Sequence, residues 1–194
     1  MNGKELFLEA EEKKNNMRKM SYLPMAALIL SGSSLFAASP TAQASAEASR
    51  LLTEVRTMAN ALNRDAATLE SYRLAGLSWQ SHANRLTLAR HHINSIGNRL
   101  ERLEAMRGSA APWQQEAIDS ITPVAAQLAS RTEAAINHLN ASPRHLYAPV
   151  YTGHLSAIAG HANQMKQSVD LHLNLAGAQD RLDSLRDEAA ALPS

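Results

Sequence analysis

The chain has 194 residues, with 19 Lys and Arg against 18 Asp and Glu, eight His and no Cys. Without Cys there is no disulfide framework, no thiolate catalysis, no iron–sulfur cluster and no covalent c-type haem. Without a dense basic track there is no surface made for nucleic acid or for an anionic membrane.

In chain order, residues 1–16 (MNGKELFLEAEEKKNN) carry four Glu and three Lys and lack an apolar core. They read as a start-site artefact ahead of Met17 or as an extension of a signal n-region. Residues 17–44 read as a secretory signal peptide: Met17, Arg18 and Lys19 form a positive start, Tyr22 to Phe36 an apolar stretch, and Ala42-Gln43-Ala44 a small-x-small site with cleavage before Ser45. The alternative is an uncleaved anchor. The apolar run, however, is shorter than the roughly 20 residues that span a bilayer. The remainder, residues 45–194, is one domain of 150 residues with 14 Lys and Arg against 14 Asp and Glu. This region is neutral and large enough to bury a sizeable core. Its address is periplasmic or secreted.

Four stripes of apolar residues follow, spaced alternately four and three apart, the spacing that lines one face of a helix. The first is Leu51, Val55, Met58, Leu62, Asp65, Leu69 and Tyr72, closed by Gly76 as a C-cap. The second follows Ser78 as N-cap and runs Trp79, His82, Leu86, Ala89, Ile93, Ile96, Leu100 and Leu103, closed by Gly108. Pro112 suits the first turn of the third, which is Ile118, Ile121, Ala125, Leu128, Thr132, Ala135 and Leu139. Pro123 falls inside this helix, where it removes an N–H and favours a kink or is tolerated on a surface face. After Asn140-Ala141-Ser142-Pro143 the fourth stripe is Tyr151, Leu155, Ile158, Ala162, Met165, Val169, His172 and Ala176. The stripe then changes phase to Leu175, Ala178, Leu182, Leu185, Ala189 and Leu192. Nothing alternates with period two, so the fold class is all-α. Short breaks between long helices imply an antiparallel up-down-up-down four-helix bundle. The phase change gives it an extended C-terminal helix that folds on the outside, pairs with a second copy as a coiled-coil homodimer, or frays.

The chemistry is sparser. His154, His161 and His172 share one line along the fourth helix, His82 and His172 occupy stripe positions, and His92 flanks the second stripe. His91 and His138 point away. Counted back from the turns, Asp65, Arg90, His92, Arg131, His154 and His161 fall in one layer. A carboxylate on an apolar stripe needs a partner, so a half-buried polar layer is expected around Asp65. Its functional version is a transition-metal site of Asp65 with His92, His154 and His161, suited to zinc, copper or nickel. Its structural version is a layer that fixes helix register. No Glu-x-x-His or His-Glu-x-x-His spacing supports the metal. A haem held by Met58 and His172 needs both at one level, and they sit about two turns apart. No Gly-x-Ser-x-Gly or Gly-rich phosphate loop occurs. A third possibility is a pH-responsive bundle, because His82 and His172 in a core would take up protons in acid. Trp79 and Trp113 begin helices at opposite ends, as core caps or as anchors for a partner.

Several strings occur together: Trp79-Gln80-Ser81-His82, His92-Ile93-Asn94 with Gly97, Leu103-Glu104-Ala105-Met106-Arg107, Ala111-Pro112-Trp113-Gln114-Gln115 with Ala117-Ile118-Asp119, Ile136-Asn137-His138-Leu139-Asn140, and Tyr147 to Tyr151. They resemble a set of uncharacterised exported all-helical proteins of acidobacteria and similar soil bacteria, over roughly Leu69 to Leu185. The resemblance implies an address and a fold and carries no reaction. The expectation is therefore a non-catalytic bundle that binds a protein or cell-envelope partner, with no nucleic acid, no membrane span after signal cleavage and no cofactor. Leu182, Leu185, Ala189 and Leu192 form the contact. The metal- or haem-binding periplasmic bundle is the alternative.

Overall fold

The structure is a computed structural model and describes residues 40–191 apart from Leu74. The expected start-site segment, most of the expected signal peptide and Leu192 lie outside the described residues. Four helices account for nearly all of the rest: α1 (Pro40–Ser71), α2 (Trp79–Met106), α3 (Pro112–Ala141) and α4 (Pro149–Ala190), with a 3₁₀ turn at Arg107–Ser109 between α2 and α3. Among the described residues there is no strand, and none of their helices is long and apolar enough to cross a membrane.

The helix starts follow local chemistry. The Ser78 hydroxyl accepts from the Ser81 amide at the head of α2. Pro112 and Pro149 open α3 and α4, where a missing N–H leaves no bond unmade. At the head of α3 the Gln114 side chain reaches back to accept from the Ala111 amide at 2.8 Å, one half of a capping box. α1 begins at Pro40, ahead of Ser45, so the Ala42-Gln43-Ala44 site lies within its first turns. Gly76 is not the C-cap expected of it: α1 ends at Ser71, and Gly76 turns the loop beyond with φ +61°. Only glycine adopts that conformation without strain.

α1 packs on α2 and α4, and α3 packs on the same two, so α2 and α4 face each other across the core. The buried face of α2 is His82, Leu86, Ala89, Ile93, Ile96, Leu100 and Leu103, the expected stripe without Trp79, which is exposed. On α1 the stripe is turned from the expected phase: Ala59 and Ala66 are buried, while Met58 and Asp65 lie at its edge. On α3, Val124 is buried in place of Ala125, and Pro123 is exposed with helix continuing on both sides. Each fully buried Leu or Ile contributes about 1.5–3 kcal/mol relative to exposure.

α4 has 42 residues, about 63 Å at 1.5 Å per residue. Its first part buries Tyr151, Leu155, Ile158, Ala162, Met165, Val169 and Ala176. From residue 177 to 191 every position is exposed.

Candidate functional site

Two regions concentrate polar or unpartnered groups. The first lies where the α1–α2 and α3–α4 turns approach one another, close enough that a Cβ on Gly76 would stand 3.6 Å from the Tyr147 hydroxyl. His82, in the first turn of α2, is 1% exposed, and its Nδ1 lies 2.9 Å from the hydroxyl of Tyr151, in the first turn of α4. The edge of Tyr72 meets the His82 ring at 5.3 Å between centroids. His138, in the last turn of α3, stacks on Tyr151 at 5.3 Å and 20°. His138 was expected to point away; instead its ring covers Tyr151, and its Nε2 is buried with no partner. Burial holds the His82 imidazole below its ordinary pKa and the Tyr151 hydroxyl above its own. Both groups are therefore neutral near neutral pH, and among the described residues no carboxylate is bonded to either to make a strong base. The chemistry of this cluster is a neutral hydrogen bond inside a core.

Asp65 lies on α1, about two turns before Tyr72. It accepts from Arg85 at 2.7 Å and stands 3.2 Å from Nε2 of His92, and its side chain is 17% exposed. Of the six residues expected in a polar layer here, Asp65 and His92 come together, while Arg131 and His161 line a separate cleft. The guanidinium partner is Arg85, which the sequence did not single out. The Tyr72 hydroxyl and then Asp65 hold the Arg85 guanidinium above its ordinary value, so this layer continues into the His82 cluster.

The four expected metal ligands divide into two groups. Asp65 and His92 come together, with one carboxylate oxygen facing Arg85 and the other facing His92. His161 lines a cleft of about 530 Å³ between α3 and α4 with Arg131, Ser130 and Gln127. Burial first, then the charges of Arg131 and His138, lower the pKa of His154. A guanidinium beside two imidazoles opposes a second cation. Among the described residues no group of three or more His, Asp or Glu side chains is placed to hold a metal ion. His172 donates to or accepts from the Ser120 hydroxyl at 3.1 Å.

At the other end of the bundle, Gln114 is fully buried and donates to the Ser45 carbonyl at 2.7 Å and to the Ser49 hydroxyl at 2.8 Å. Gln114 stands in one of the strings quoted above, and Pro112 followed by a glutamine at the third helical position is a signal for this capping role. Trp113 packs half-buried against the core close by. A groove of about 930 Å³ runs between α2 and α3, with Ile93, Leu100 and Ala125 along it and Glu101 and Glu104 beside them.

The second region is the overhang of α4. Leu171, Leu175, Leu182 and Leu185 are 56%, 52%, 55% and 60% exposed. Ala189 is exposed on the same face. Single exposed leucines are ordinary, but a row of them along one helix is not. Comparison with protein-family models, with characterised proteins and with solved structures yields no match.

Proposed function

We propose that this protein is an exported helical bundle that acts by binding, with the overhang of α4 as its contact surface for a protein partner in the periplasm or outside the cell. The observation that carries the reading is the exposure of Leu175, Leu182 and Leu185, spaced seven and three apart as in a heptad, on a helix whose earlier leucine, Leu155, is fully buried. Between residues 177 and 190 the helix holds Arg181 and Arg186 against Asp180, Asp183, Asp187 and Glu188. That net negative charge disfavours an anionic lipid surface and favours a protein.

The core of the reading is an up-down-up-down bundle. Along α1 and α2 the ion pairs Glu47–Arg102, Glu54–Arg99 and Asp65–Arg85 have partners that descend as α1 ascends, which supports antiparallel neighbours. Such a scaffold holds the overhang rigidly away from the bundle. The signal-like segment before Ser45 and the resemblance to exported helical proteins support the address. A photo-crosslinking amino acid in place of Leu185, in a host that exports the protein, tests the surface. A covalent adduct is expected, and its absence at full expression contradicts the reading.

A further inference from the structure

We infer that the overhang of α4 pairs with the same segment of a second copy, the two helices running in opposite directions. The proposal rests on the contact-surface reading above and names its occupant.

The exposed residues define a heptad seam. Leu175, Leu182 and Ala189 take one core position, and Ala178 and Leu185 take the other. The residues that flank this seam decide direction. In a parallel pair Arg181 would stand beside Arg186 of the second copy, a like-charge contact. In an antiparallel pair Arg181 meets Glu188 of the second copy, and the symmetry supplies the contact twice. Arg186 already bonds Asp183 of its own helix at 3.2 Å, whereas neither Arg181 nor Glu188 belongs to an ion pair among the described residues.

Packing agrees with charge. In the antiparallel pair Leu182 lies against Leu185 of the second copy, and Ala178 against Ala189. Large layers fill the centre and small ones let the helices close at the flanks. The centre of such an overlap falls between Asp183 and Ser184. That point is midway between Ala176, the last buried residue of α4, and Ala191, which caps it. Each tip would therefore reach the other bundle's end without entering it. Two heptads per copy make a contact at the small end of specific interfaces, so the dimer is reversible.

The test is sedimentation equilibrium of the full chain over a range of concentrations. Wild type is expected to associate to a dimer. Arg181→Glu and Glu188→Arg are each expected to weaken association at least about tenfold, and the double variant to restore it. All these side chains are exposed, and an unchanged far-ultraviolet circular dichroism spectrum shows that the bundle stays folded. A chain that is monomeric throughout overturns the proposal, and so does tighter association of Arg181→Glu, which is the outcome for a parallel pair. The crosslink at Leu185 separates this inference from the reading beneath it. An adduct to a different protein overturns self-pairing and leaves the contact surface standing, whereas the absence of any adduct overturns both.

Discussion

The two parts of α4 use the same alphabet of Leu, Ala and small polar residues at the same spacing, yet Leu155 is fully buried and Leu185 is 60% exposed. The difference comes from α1 and α3, which pack on α4 and bury its inner face as far as Ala176. An apolar stripe therefore states that a face needs covering and does not state what covers it. On the inner face up to Ala176 the cover is the chain's own bundle. The leucines from Leu171 onward repeat the spacing in another phase and have no cover of their own.

The largest expected effect sets the two parts side by side. Leu155→Ala should destabilise the fold by about 3 kcal/mol through lost burial and a residual cavity. Leu185→Ala should change it by less than about 0.5 kcal/mol at protein concentrations that keep the chain monomeric. Urea denaturation of both variants checks the pair, and similar losses would erase the distinction. Next comes the polar layer that braces the buried part. Asp65→Asn removes the charge that faces Arg85 and His92 in a half-buried setting and should cost about 1–2 kcal/mol in the same assay.

Acid should act on the bundle and not on the overhang. His82 and His154 bind protons more weakly in the fold than in the unfolded chain. Stability should therefore be complete above the ordinary imidazole value of about 6.5 and fall as pH drops below it. A lower urea midpoint at about pH 5 than at about pH 7.5, with a smaller difference in His82→Gln, is the expected result. The smallest effect is a gain. Thr132 is 2% exposed and its hydroxyl has no partner, so Thr132→Val should stabilise by about 1 kcal/mol.

How much of this was legible depended on whether the deciding contact lay within one helix. The buried face of α2 from His82 to Leu103 follows from spacing, and only Trp79 at its start departs from it. On α1, spacing led to Met58 and Asp65, because large side chains mark a stripe more visibly than Ala59 and Ala66, which bury themselves by letting helices approach. That same rotation puts Asp65 at an edge, where Arg85 and His92 can reach it. His138 and Gln114 escaped because their value lies in partners on other helices, Tyr151 for one and Ser45 and Ser49 for the other. His154 and His161 both lie on α4, but spacing along one helix could not show Arg131 arriving from α3. The change of phase after Ala176 was plain in the sequence, since it needs no neighbour to be seen.

Native-state hydrogen exchange along α4, at low and at high protein concentration, separates the two parts of the helix. Protection up to Ala176 should be independent of concentration, and protection of residues 177–190 should be weak in dilute solution and rise with concentration. Strong protection of the overhang in dilute solution, equal to that of the bundled part, would contradict this separation.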